Sequence, residues 1–150
     1  MKKLLALTAA LFLSIGAFAQ IERPVTWAYA AKKTSATEAT VFLKATIQSG
    51  WHIYSQTVPE GGPIKTSFTF AKSPDFTLVG KTVEPKPTTV FEKNFDMNVS
   101  YFEKEVVFTQ KIKLKSPKAT TVKGSLEFMV CNDHKCLPPD AVNFSVALAK

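Results

Sequence analysis

Apolar residues recur at every second position of this chain, a period that dictates extended strands and excludes amphipathic helices. Val41, Leu43, Ala45 and Ile47 alternate with Thr40, Lys44, Thr46 and Gln48, and only Phe42 breaks the polar set. The pattern returns in Val106, Phe108, Ile112 and Leu114, which alternate with Thr109, Lys111, Lys113 and Lys115. It returns again in Val122, Leu126, Phe128 and Val130, and in Val142, Phe144, Val146 and Leu148. Successive side chains of a strand point to opposite faces, so each run has one face for a core and one for water. Shorter candidate strands are Val25 to Ala30, Trp51 to Ser55, Thr66 to Ala71 and Phe76 to Val83. Turn chemistry separates them at Ser49-Gly50, Pro59-Glu60-Gly61-Gly62-Pro63, Ser73-Pro74-Asp75, Pro85-Lys86-Pro87 and Ser116-Pro117. No helical stretch follows the first segment. Roughly seven to nine short strands at this spacing predict an all-β fold, an antiparallel sandwich of the immunoglobulin-like kind.

The first segment is of another kind. Lys2 and Lys3 precede an apolar run from Leu4 to Phe18, and Ala17-Phe18-Ala19 supplies a small-x-small cleavage pattern. Residues 1–19 are therefore expected to be a removable export signal, with residues 20–150 as one exported domain. The apolar run is short for a membrane span, and no later run approaches that length, so no membrane insertion is expected after cleavage. The formal net charge of +7 falls by the two charges of Lys2 and Lys3 once the signal is removed. The remaining lysines are dispersed and Arg23 is the only arginine, a pattern that argues against a nucleic-acid partner. No Ser-His-Asp set, catalytic carboxylate pair or phosphate-binding glycine loop is visible, which argues against hydrolytic and phosphoryl-transfer chemistry.

The chain has 2 cysteines, Cys131 and Cys136, five positions apart in Val130-Cys131-Asn132-Asp133-His134-Lys135-Cys136-Leu137-Pro138-Pro139. In an oxidising compartment such a pair either holds a disulfide or exchanges one. Closing a ring of about six residues stabilises a fold by only ~2 kcal/mol, which favours a reactive pair over a structural staple. Cys131 lies on the opposite parity to Val122, Leu126, Phe128 and Val130, so its thiol is expected to point away from the core and to be exposed. His134 and Lys135 carry charge that can favour a neighbouring thiolate. Cys131, His134 and Cys136 are soft metal ligands without a visible fourth partner, so no metal and no cofactor is expected.

The run from Cys131 to Pro139 resembles the cysteine motif of the N-terminal periplasmic domain of the DsbD thiol:disulfide interchange proteins: Cys-x-Asp, a short stretch, then Cys-aromatic-Pro-Pro. Ser49-Gly50-Trp51-His52-Ile53-Tyr54 is similar to that family's Asp-Gly-Tyr-Tyr-Leu-Tyr segment. The resemblance spans Val25 to Leu148. It departs from the motif in a spacer of four residues without glycine, and in Leu137 at the aromatic position.

The resemblance implies an immunoglobulin-like fold, a periplasmic location and a Cys131–Cys136 pair that relays electrons. Its expected partners are thioredoxin-like periplasmic proteins and a separate membrane electron carrier. Cys136 is expected to form the intermolecular bond and Cys131 to resolve it. The segment Thr89 to Phe95, within a loop from Pro85 to Asn98, matches the family's cap, with Phe91 expected over the disulfide and Phe95 as second candidate. Asp133 matches the motif's acid, His52 and Tyr54 match the aromatic positions that line the site, and His134 lies inside the cysteine ring. The competing reading is a non-redox interaction module in which the disulfide braces a binding loop.

Overall fold

Among the described residues eleven strands succeed one another, all paired antiparallel. They are β1 (Val25–Lys33), β2 (Glu38–Ile47), β3 (His52–Tyr54), β4 (Ser67–Phe70), β5 (Phe76–Val83), β6 (Thr88–Glu92), β7 (Met97–Glu103), β8 (Glu105–Leu114), β9 (Thr120–Phe128), β10 (Val130–Cys131) and β11 (Asp140–Leu148). This computed structural model describes residues 22–93 and 95–149, so the expected export signal at residues 1–19 lies outside the described residues. No helix among the described residues is long and apolar enough to cross a membrane. The sheets run β1-β2-β8-β5, β10-β3-β7-β6 and β11-β9-β4, and the fold is an immunoglobulin-like sandwich.

The alternating runs become strands because burial follows their period. In β2 the buried positions are Ala39, Val41, Leu43, Ala45 and Ile47, and in β8 they are Val106, Phe108, Gln110, Ile112 and Leu114. Together with Leu126, Phe128, Phe144, Ile53, Phe102 and Val130 the apolar ones among them close one core drawn from all three sheets. Fully burying a Leu, Ile or Phe side chain contributes roughly 1.5–3 kcal/mol, so this stripe dominates the stability of the domain. Trp27 of β1 adds ring contacts to Phe128 at 5.5 Å and to Phe108 at 6.0 Å.

Gln110 is the polar exception, 1% exposed inside the core face of β8. Its Nε2 donates to the carbonyls of Lys111 at 2.8 Å and Val79 at 3.2 Å, and its Oε1 accepts from the Thr82 hydroxyl at 3.0 Å. Those bonds satisfy the backbone where the β5–β8 register slips between Val79 and Val83. The slip is a β-bulge or kindred irregularity, which bends and twists an edge strand and discourages edge-to-edge pairing.

Two single-residue breaks position the site. Lys104 has φ of 62° between β7 and β8, so one run of chain leaves the second sheet and enters the first. Met129 separates β9 from β10 and passes the chain from the third sheet to the second. The stretch from Pro85 to Asn98, expected to be a loop, is largely a hairpin. β6 and β7 pair from Thr88↔Tyr101 to Glu92↔Met97. β7 shows no period of two because its buried residues fall on both of its faces. Val99 is buried on one side and Phe102 on the other, so the buried positions do not share one face.

Candidate functional site

β10 is only two residues long, and it delivers Cys131 to the edge of the second sheet, where it pairs with His52 while Val130 pairs with Ile53. A tight turn then brings the chain back. The Asn132 N–H donates to the Lys135 carbonyl at 2.9 Å, and the Leu137 N–H to the Val130 carbonyl at 2.9 Å. Inside the turn, Asn132 Oδ1 accepts from the N–H groups of His134 at 2.9 Å and Lys135 at 2.8 Å. This Asx arrangement is a local substitute for backbone pairing. It closes Cys131 against Cys136 with a Cα separation of 4.0 Å, and a disulfide joins them.

The two cysteines occupy different environments. Cys136 is exposed, whereas Cys131 is 2% exposed, so the expectation of an exposed Cys131 thiol is corrected. The parity was right, since Cys131 does lie opposite the core-facing Val130. The outer face is nevertheless dry. Tyr54 and Val99 form a second buried cluster with Cys131, and Val58, Met97, Tyr101 and Met129 pack around it. The segment after β3 folds onto that cluster so closely that a Cβ on Gly62 would lie 2.9 Å from both Met97 Sδ and Val58 Cγ1.

His52 and Tyr54 stand on the cysteine face of β3. The His52 ring lies 4.8 Å from Tyr101 and 5.2 Å from Tyr54, centroid to centroid, and its Nε2 is 3.3 Å from Tyr54 Oη. Burial holds the His52 pKa below the usual histidine value, with Glu103, Glu92 and Asp133 pulling the other way. Burial and the negative charge of Glu92 push the Tyr54 phenol up to about 12. Burial, then Glu103, Asp133 and Glu92, raise Tyr101 as well. Although the chain is basic, this site has an acidic rim.

The structure brings Cys131, Cys136, His52 and Tyr54 together, with Asp133 and His134 exposed on the turn. Asn132, not Asp133, supplies the side-chain acceptor that shapes this turn. Phe91 is placed elsewhere. It pairs with Asn98, is 57% exposed, and projects from the hairpin on the side opposite the Val90–Val99 pair. Phe95 is half-buried in the hairpin turn, where its N–H donates to the Glu92 carbonyl at 3.2 Å. The side chains around Cys131 are instead Val58, Met97, Val99, Tyr101 and Met129, none singled out from the sequence. Lys135 leaves the ring altogether: its Nζ lies 2.5 Å from Glu22 and 6.0 Å from the Trp51 ring centroid.

At this edge of the sandwich a disulfide joins a buried cysteine to an exposed one, the constellation of a cysteine-pair domain. The family described as thiol:disulfide interchange protein DsbD, N-terminal, matches residues 22–148, and the chain belongs to that family. No curated protein matches it. Among solved structures it is similar to the N-terminal periplasmic domain of ScsB from Proteus mirabilis, with a TM-score of 0.60 and 21% identity. That match covers 86% of this chain and 47% of the ScsB chain, so the present chain spans about half of it. It is also similar to the reduced N-terminal domain of DsbD from Neisseria meningitidis, with a TM-score of 0.54, 13% identity, and 89% and 92% of the two chains covered. A third similar structure is the complex between the DsbD N-terminal and PilB N-terminal domains from Neisseria meningitidis, at TM-score 0.54 and 13% identity, covering 87% of this chain and 88% of that one. At these identities the solved structures speak for the fold.

Proposed function

We propose that this domain is a periplasmic electron relay that works by thiol–disulfide exchange at Cys131–Cys136. It takes electrons from a thioredoxin-like or membrane-borne donor and passes them to periplasmic disulfide proteins. The observation that carries the reading is the unequal exposure of the two sulfurs in a chain of this family. An attacking thiolate reaches Cys136 from solvent, whereas Cys131 is screened by Tyr54 and Val99. Support for a protein partner comes from the Neisseria DsbD domain, which was solved in complex with a second domain.

In the charging step, a donor thiolate attacks Cys136 Sγ. The donor–Cys136 bond forms, the Cys131–Cys136 bond breaks, and its electron pair leaves on Cys131 Sγ, which takes up a proton. The donor's second thiolate then attacks its own sulfur in the mixed disulfide. The donor leaves oxidised and both cysteines of this domain are reduced. Discharge onto a client reverses the order: Cys136 attacks the client disulfide, and Cys131 then attacks Cys136 and releases the client's second thiol.

Equilibration with glutathione redox buffers tests the reading. An exchange site has a potential above about −300 mV, while a bracing disulfide lies below it. A value below that limit, with no mixed disulfide trapped through Cys136 in a Cys131→Ala variant, would overturn the proposal in favour of a bracing role.

A further inference from the structure

Discharge asks for a chemical step that Cys131 is badly placed to perform alone. To resolve the mixed disulfide it must act as a thiolate, yet it is 2% exposed, beside Tyr54 and Val99, with the acidic rim nearby. A buried thiol in apolar surroundings near negative charge resists ionisation. The resolving attack therefore needs a base within reach.

His52 is the residue directly opposite Cys131 in the β3–β10 ladder. Facing residues of an antiparallel pair project to the same side, with Cβ atoms about 4.5–5.5 Å apart. The chain's other histidine, His134, is exposed on the turn, on the solvent side of the ring. The His52 ring is also fixed, by Tyr101 and Tyr54 on either side and by its contact with Tyr54 Oη.

We infer that His52 is the general base that takes the Cys131 proton during the resolving attack, an inference that rests on the exchange reading above. The step balances. The proton of Cys131 Sγ passes to His52 as the sulfur's electron pair forms the bond to Cys136 Sγ. The bond between Cys136 and the client sulfur breaks, the client leaves as a thiolate and is protonated by water, and the imidazolium returns its proton to solvent. The role requires one tautomer, in which Nε2–H donates to Tyr54 Oη and the Nδ1 lone pair is the acceptor. A phenol pushed up to about 12 keeps its own proton at neutral pH, and its oxygen accepts that bond.

The surrounding charges fit both ends of the step. Burial keeps the ring neutral and able to accept a proton near neutral pH. Once the ring is charged, Glu103 across the ladder on β7, Glu92 on β6 and Asp133 on the turn stabilise the imidazolium. Tyr54 and Tyr101, the remaining titratable neighbours, stay neutral. The tyrosine that the resembled motif carries at this position has no comparable basicity near neutral pH.

The test uses reduced protein and one equivalent of a chromogenic aryl disulfide. Attack by Cys136 releases one coloured thiolate, and resolution by Cys131 releases the second. In His52→Gln the ratio of second-phase to first-phase rate is expected to fall about 10²-fold at neutral pH. The wild-type second phase should slow in acid, with an inflection below the ordinary histidine value, and this inflection should vanish in the variant. His52→Tyr keeps a ring between Tyr54 and Tyr101, guards against a folding artefact and should show the same slow second phase. An unchanged rate ratio and pH profile in either folded variant would overturn the inference while leaving the exchange reading intact. Release of a single thiolate by the wild type would overturn both.

Discussion

Asn132 holds Lys135 twice: its N–H donates to the Lys135 carbonyl, and its side-chain oxygen accepts the Lys135 N–H at 2.8 Å. One residue thus sets the geometry that lets Cys136 meet Cys131. Asn132→Ala should cost about 1 kcal/mol through the lost side-chain bonds, which lie near solvent. The same variant should make the disulfide easier to reduce, because the two cysteines are no longer held at their closing distance. Asn132→Asp keeps the acceptor and should restore both properties. Thermal melts and redox titration of the three proteins check this, and an Asn132→Ala protein equal to wild type in both would refute it.

The disulfide itself should matter little to folding. Replacing Cys131 by Ala avoids burying an unpaired hydroxyl beside Tyr54 and Val99, and Cys136→Ser suits the exposed position. This double variant should lose only about 2–3 kcal/mol, the small-ring value plus a modest packing loss, and keep its sheet spectrum. Circular dichroism and urea unfolding test the claim. A variant that fails to fold would move the pair from chemistry to structure.

Tyr54 gives the alkaline limb of stability a readable feature. Its folded-state pKa of about 12 lies above the ordinary 10.0. Between those values the folded state keeps a proton that the unfolded state has lost, so stability falls as pH rises from 10 toward 12. The loss from this group is at most about 2–3 kcal/mol. His52 works at the other end. Its lowered pKa means that the unfolded state protonates first, so stability falls as the solution is acidified below the ordinary 6.5. Tyr54→Phe should flatten the alkaline limb and His52→Gln the acid limb, measured by urea unfolding across pH.

Gly124 marks a place where packing leaves no room for a side chain. A Cβ there would lie 2.5 Å from Phe144 Cζ and 2.3 Å from the Thr69 carbonyl oxygen. Gly124→Ala should therefore cost roughly 1–3 kcal/mol by overpacking. Adding Phe144→Leu should recover only part of this, because the Thr69 backbone cannot be trimmed. Full recovery in the double variant would show that the side chain alone sets the limit.

What was legible in the sequence follows from where burial is one-sided. The long runs of β2, β8, β9 and β11 each have a dry and a wet face, and their period is visible directly. The cysteine turn was legible for a different reason, since residue types and spacing carry it whatever surrounds it. The lining of Cys131 was not, because β7 buries Val99 on one face and Phe102 on the other, and a strand with buried residues on both faces loses its alternation. Gln110 was hidden for the converse reason: a polar residue in an apolar stripe reads as an interruption until its bulge partners are known. Phe91 drew attention as a large ring in a polar stretch, but register decides its direction, and register is a tertiary property.

The shielding of the site yields a last prediction. In the reduced protein, Cys136 should be alkylated by iodoacetamide well before Cys131, because one sulfur faces solvent and the other lies under Tyr54 and Val99. Met97 and Val58 close this cover from the side, in contact with the segment around Gly62. Met97→Ala and Val58→Ala should each raise the labelling rate of Cys131 by about tenfold, equivalent to ~1.4 kcal/mol less cost of local opening. Phe91→Ala should leave that rate unchanged, since its ring projects from the far side of the hairpin. Time-resolved mass spectrometry of the labelled peptides separates the two sulfurs. Faster labelling of Cys131 in Phe91→Ala, with none in Met97→Ala, would assign the cover to the aromatic ring rather than to the side chains packed around Cys131.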